Sequence, residues 1–277
     1  MQKKRMIGLA VHGTLLFILF LTIYPLFVMV ISSLKTNIQI YQNLYFFSLP
    51  LHFEHYKIAF GQIYRSILNS LIITAGNVLL TLIISTLAGY AFARFQFKGK
   101  NLLFMTMMMM MMMMMMVPYF LILIPQFIIS QKMHLLNTYA VQILPPSSAF
   151  AILSTFLITT HMESLPKSLF EMATIEGASD FKIFYYIALP LSKPILATVC
   201  ITTLISSWNN YIWPLVSANA EKVRPVILQV SKVVASTYQM PGVNFAAYVI
   251  ASVPLLLIFT VATKPFVEGL TAGAVKA

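Results

Sequence analysis

Residues 171–194 read EMATIEGASDFKIFYYIALPLSKP, a polar and charged island in a very apolar chain. The whole sequence holds only seven Asp and Glu residues, and Glu163, Glu171, Glu176 and Asp180 crowd into this stretch and its N-terminal flank. The 277 residues are 59% hydrophobic and 9% charged, against about 25% charged in an average soluble domain. Soluble packing cannot hide that much apolar surface, so lipid is the expected solvent. A loop that gathers the few carboxylates of such a chain is expected to touch something in water.

Working outward, six segments are apolar over the roughly 20 residues needed to cross a bilayer. They span 8–33, 66–92, 102–129, 138–160, 191–216 and 245–266. All are read as helices, because a lone segment in lipid must satisfy its own backbone hydrogen bonds. A membrane barrel would need period-two alternation, which the chain lacks. The expected fold is an all-α integral membrane protein of six transmembrane helices, one membrane domain over residues 1–277. The first segment follows Lys3, Lys4 and Arg5 and resembles a signal peptide. It is too long for an h-region and has no small-residue cleavage site after it, so it is read as a retained anchor.

Charge sets the orientation. With both termini in the cytoplasm, eleven of the 18 Lys and Arg residues fall on the inner side, as the positive-inside rule requires. The net charge of +11 is therefore a topology signal. No nucleic-acid partner is expected, since that needs a basic patch on a soluble face. The resulting loops are an outer one at 35–65, a short basic inner one at 94–100, a short outer one at 131–137, the inner loop at 161–190, an outer loop at 217–244 and an inner tail at 267–277. In the first, Tyr41, Tyr45, Phe46 and Phe47 suit either the headgroup level or a protein partner.

The inner loop has its own punctuation. Pro166 can open a helix, carried by Lys167–Glu176 with Leu169, Phe170 and Ala173 at near-helical spacing. Gly177 permits a backbone turn that side-chained residues resist. Ser179 or Asp180 can cap a second short helix running to Ile187, and Pro190 is expected to end it. Ala173, Gly177 and Ala178 are small enough for close approach of a partner, and Glu171 and Asp180 can make charge-assisted hydrogen bonds to it.

Chemistry of its own is not expected of the chain. There is no Gly-rich phosphate loop and no His/Asp/Ser constellation; His12, His52, His55, His134 and His161 are scattered. Cys200 has no internal disulfide partner. The unbroken run Met107–Met116 offers soft thioethers of a kind that bind Cu(I). It also offers plain apolar filling, and with no His or Cys in the segment no metal site is expected. Pro118 and Pro125 just beyond it are expected kinks. No carboxylate lies inside a predicted span, whereas a chain driving transport alone would need ionisable groups there. Only Lys193 sits near a membrane end. Energy must come from a separate subunit.

Glu171-x-Ala173, then Gly177, then Ile187-x-Leu189-Pro190 resembles the "EAA" loop of bacterial ATP-binding-cassette importer permeases, especially the maltose and multiple-sugar type. The flanks agree: SLPKSLFE ahead of it, SSWNNYIWPL at 206–215, and the end KPFVEGLTAGAVKA. Met172 and Glu176 depart from the usual Ala and Asp without removing the charge or the glycine. The resemblance implies a type I importer permease in the bacterial cytoplasmic membrane. Its implied partners are a second permease subunit, a dimer of ABC ATPases that holds the ATP and Mg, an extracellular solute-binding protein and a sugar. ATPase coupling would fall to Glu171, Ala173, Glu176, Gly177, Ala178, Asp180, Leu189 and Pro190, and the tail at Gly269, Thr271 and Gly273 would reach into the ATPase dimer. The 217–244 loop would reach the binding protein. Trp208, Asn209, Asn210 and Tyr211 (with Trp213 nearby) carry ring faces and amides suited to a sugar on the solute path, or serve as interfacial anchors. The implied cargo is an oligosaccharide of the raffinose or multiple-sugar kind; a polyol or glycerol phosphate importer and a stand-alone carrier or channel remain alternatives.

Overall fold

A chain this apolar satisfies its backbone by helices. The computed structural model describes residues 2–274, with side chains at 8 and 11–260, and no strand occurs among the described residues. Among the described residues, four helices are long and apolar enough to cross a membrane: α1 (Gln2–Ser33), α3 (Glu54–Arg94), α6 (Tyr139–Glu163) and α13 (Pro241–Ala274). Two bent pairs raise the number to six if each is one span. The first pair is α4 (Lys100–Met116) with α5 (Tyr119–Lys132), bent by 114°. The second is the helix Asp180–Leu191 with α10 (Lys193–Trp208), bent by 74°.

The expected third segment is thus broken rather than kinked. Pro118 supplies no backbone N–H and forces Val117 into extended conformation, φ −85° and ψ 121°, the restriction a proline places on its predecessor. Pro125, by contrast, is carried inside α5. The methionine run fills α4, where none of the residues is buried.

Two expected boundaries shift for one reason: hydropathy marks where a chain meets lipid, not where its helix stops. Helix α3 begins at Glu54 rather than Ser66 and runs 41 residues, with an acidic side chain in its first turn and Arg94 in its last, both favourable to the helix dipole. The outer stretch after Trp208 is also structured. It holds α11 (Ile212–Ser217), a 3-10 turn at Glu221–Val223 and α12 (Val226–Ser236). Val226, Val230 and Val233 recur at helical spacing and are all buried, so α12 is an amphipathic helix too short to register as a span. Pro190 does not end the second loop helix, because α8 (Asp180–Ile183), a π turn over Phe184–Ala188 and α9 (Leu189–Leu191) follow one another without a break. Pro190 stands at the start of α9, directly after the π turn.

The chain divides into two compact units, Met1–Arg65 with Gln229–Pro254 and Ser66–Leu228 with Leu255–Ala277. In the first, Thr36 and Gln39 form a reciprocal capping box on α2 (Asn37–Gln42), and Lys35, buried, donates from Nζ to Asn43 O at 2.7 Å and Leu44 O at 3.1 Å. A Cβ at Gly242 would collide with the His55 ring. Tyr41, Tyr45, Phe46 and Phe47 are exposed.

The second unit is organised by polar pairing. Helix α6 carries Pro145 and Pro146 internally. Two adjacent prolines deprive the carbonyls four residues earlier, those of Val141 and Gln142, of their helical donors. Trp213 Nε1 donates to Val141 O at 2.7 Å, and Asn77 Nδ2 donates to Gln142 O at 3.1 Å. Both orphaned carbonyls are therefore satisfied from other elements, as a low-dielectric interior demands. Asn77 also donates to Ser207 Oγ (2.9 Å) and accepts from Ser147 Oγ (2.8 Å), while Gln142 Nε2 donates to Ser217 Oγ (2.8 Å). Gly76 and Gly89 allow α3 to lie close against Ile143 and Ile158 of α6, the use of small residues common between membrane helices.

Candidate functional site

The carboxylate-rich loop folds as the two-helix elbow its sequence predicts. Helix α7 (Lys167–Ile175) starts after Pro166 and ends at Glu176. Gly177 then takes φ +79°, a left-handed conformation that costs side-chained residues roughly 1–2 kcal/mol. Gly177 N donates to Thr174 O and Ala178 N to Ala173 O, each at 3.0 Å. This is a Schellman ending, which satisfies two carbonyls of the last turn. Ser179 is the cap position of α8 but makes no side-chain cap bond, and Asp180 lies in the first turn, where a negative charge is favourable.

The elbow is seated on the membrane helices by a small core. Phe170, Ala173, Ile183 and Ala188 are buried together with Tyr90, Ile158, Met162 and Val199, and Ala178 packs against them. Arg94, at the end of α3, is the clamp. Its guanidinium carbon lies 3.3 Å from the centroid of the Phe170 ring, a cation–π contact, and its Nη2 donates to Met162 O at 3.0 Å. Tyr90 packs against Phe184 with ring centroids 5.0 Å apart and ring planes tilted by 58°. A groove of about 780 Å³ runs beside the elbow, lined by Arg94, Lys167, Glu171 and Asp180 among others, so both signs of charge face it.

The outward side is apolar in a way a solvated loop would not be. Ile175 is 86% exposed, Phe181 72%, Tyr186 71% and Met172 58%. Glu171, Glu176, Gly177, Asp180 and Pro190 are exposed beside them, and Leu189 is half-buried. Ala173, expected to leave room for a partner, does not do so, whereas Ala178 is half-buried at the edge of the core. Ala173 is 9% exposed and faces the chain's own core, so its small size serves the seating of α7. Along the sequence Arg94 is only one of the inner-side topology charges. No local signal ties it to Phe170, which lies in a distant loop.

Of the solute-path candidates, Asn210 borders a cavity of about 240 Å³ with Tyr119, Gln126 and Ser206. Trp208 is 4% exposed and Trp213 fully buried, so neither indole is open to a headgroup or to a sugar; Trp213 is held by its bond to Val141. Asn209 and Tyr211 are exposed. Gly269, Thr271 and Gly273 lie outside the residues whose side chains are described. Among the described residues no group of His, Cys, Asp and Glu could hold a metal.

Residues 85–267 match the family model described as "Binding-protein-dependent transport system inner membrane component". The chain is 30% identical over 266 residues to the arabinooligosaccharides transport system permease protein AraQ of Halalkalibacterium halodurans, covering 94% of this chain and 93% of that protein. It is 31% identical to the probable ABC transporter permease protein YurM of Bacillus subtilis (99% and 91% covered) and 29% identical to the melibiose/raffinose/stachyose import permease protein MelC of the same organism (91% of each). In fold it matches a subunit of a bacterial ABC transporter involved in the import of the acidic polysaccharide alginate, with a TM-score of 0.80 over 95% of this chain and 98% of that one, at 21% identity. With residues 85–267 matched, a stretch that takes in the elbow, α6 and α10, this chain belongs to the family of binding-protein-dependent transport system inner membrane components.

Proposed function

We propose that this chain is half of the translocation path of an ATP-driven oligosaccharide importer and takes its power stroke through the elbow at 167–191. As a family member it is a multi-pass subunit of the cytoplasmic membrane, not itself an enzyme, and works with a partner permease, a separate ATPase and a binding protein. The sugar cargo is supported by the relatives, whose names specify arabinooligosaccharides, melibiose, raffinose and stachyose. The observation that carries the coupling role is the pairing of a rigid inner seat with an uncovered apolar outer face. Phe170 lies under the Arg94 guanidinium and is buried with Ile183, while Ile175, Met172 and Phe181 stand in the open. Exposed large apolar groups grouped on a water-side loop mark a docking surface.

Closing of an ATPase pair against this face would push α7 and α8 as one body, and the continuous helix to Leu191 would pass the motion into α10. Such rigid-body rocking switches access from one side of a membrane to the other. In this orientation both termini are cytoplasmic, the 267–277 tail reaches the ATPase side, and the stretch 217–244 meets the binding protein. ATP and Mg belong to the partner.

The test is Ile175→Asp and Glu171→Lys in the assembled complex in proteoliposomes. Both side chains are exposed, so insertion and assembly are expected to persist while binding-protein-stimulated ATP hydrolysis falls to background. Stimulation at the wild-type level in both variants would refute the docking role. Binding of candidate oligosaccharides to the cognate binding protein, read by calorimetry, names the sugar.

A further inference from the structure

Two cavities meet where α5, α6 and α10 converge. The smaller, about 240 Å³, is bordered by Tyr119, Gln126, Phe150, Ser206 and Asn210. The larger, about 410 Å³, shares Tyr119, Phe150 and Ser206 and continues along Thr202 toward the end of the methionine run. Spacing explains the convergence. Tyr119 and Gln126 are seven residues apart on α5, and Thr202, Ser206 and Asn210 are four apart along α10 and its end, so each set lines one face.

These polar groups are conspicuous for what they do not touch. The neighbouring hydrogen bonds run elsewhere: Thr202 turns back to Thr198 O at 2.9 Å, and Ser207 is engaged with Asn77. Among the described residues no hydrogen bond ties the side chains of Tyr119, Gln126, Ser206 or Asn210 to the protein. In spans as apolar as these, unpaired amides and hydroxyls are costly unless they face water or a ligand. The backbone is also broken here. Helices α4 and α5 part at Val117–Pro118, α10 ends at Trp208, and α6 brings Pro145 and Pro146 to the wall. Irregular backbone at membrane depth is tolerated where it lines a cavity, and transporters place their substrate sites at such discontinuities.

We infer that Tyr119, Gln126, Ser206 and Asn210 form a sugar subsite on this subunit, selective for uncharged oligosaccharides. This rests on the importer reading above and adds the residues and the charge class. The donors and acceptors are all neutral, and Tyr119 and Phe150 supply ring faces for stacking. No charged side chain borders either cavity among the described residues, so an acidic sugar would enter this wall without a counter-ion. The ends of Gln126 and Asn210 can each both donate and accept, matching hydroxyls that do the same.

The experiment uses the full transporter with its binding protein in proteoliposomes. It measures sugar moved per ATP hydrolysed for a neutral panel (raffinose, lactose, arabinotriose) and for trigalacturonate. For whichever neutral sugar the wild type moves, Gln126→Leu with Asn210→Leu is expected to lower sugar per ATP about tenfold. Asn210→Gln, which keeps the amide, is expected to retain most of it. Trigalacturonate is expected not to be moved. An unchanged ratio in the double variant overturns the subsite while leaving the importer reading standing, and transport of trigalacturonate by the wild type overturns the charge selectivity. A wild type that moves no neutral sugar with ATP overturns the importer reading and the subsite with it. Should the leucines prevent assembly, Gln126→Ala with Asn210→Ala makes the same comparison.

Discussion

The Asn77 network and the elbow are both unusual patches in an apolar protein, and they resolve the mismatch in opposite ways. Around Asn77, polar groups from three separate helices close on one another: Gln142 O at 3.1 Å, Ser207 Oγ at 2.9 Å and Ser147 Oγ at 2.8 Å. At the elbow the polar groups are few and the surplus is apolar, with Ile175 at 86% and Phe181 at 72% exposure. A patch that satisfies itself is structural. A patch that leaves its cost unpaid in water is an invitation to a partner.

The comparison breaks first at its tightest point. Asn77→Leu removes the donor to Gln142 O and leaves two serine hydroxyls without their partner, for a loss of roughly 3 kcal/mol at 1–3 kcal/mol per unsatisfied buried group. Thermal unfolding of the detergent-purified chain should show it, and an unchanged midpoint would mean the network relaxes freely. Trp213→Phe keeps an aromatic side chain, though a smaller one, and orphans Val141 O, for about 2 kcal/mol, measured the same way; a loss equal to that of Asn77→Leu would mean the lost ring volume, not the carbonyl, sets the cost.

At the elbow the effect is local. Gly177→Val forces a branched side chain to φ +79° and is expected to cost about 1–2 kcal/mol. The cost should appear as faster amide exchange confined to residues 167–191 rather than as a shifted global midpoint. Smallest of all, Met112→Leu on the exposed face of α4 should change stability by less than about 0.5 kcal/mol. A larger shift would show that the methionine run carries specific packing.

Much of this was legible along the chain. The apolar runs near Ile23, Leu79, Leu153 and Leu256 predict membrane helices, and Gly177 with its flanking helix formers predicts the elbow. Legibility failed where helices outran hydropathy, as from Glu54 to Arg65, and where an amphipathic helix such as Val226–Ser236 was too short to stand out. The site was legible only on its outer side. Ala173 looked like an open contact and proved to be core, because a small residue reads the same whichever way it faces.

Local sequence suffices for the solvent, the helical class and the turn at Gly177, since each depends on residues close together: a sum of transfer free energies over about 20 positions, or one residue without a Cβ. Which groups meet emerges in three dimensions. The carbonyls freed by Pro145 and Pro146 found Trp213 and Asn77, and Arg94 found Phe170 and Met162. Those pairings join positions about 65 to 75 residues apart, and a hydrogen bond depends on ångström distances in space that no local pattern encodes.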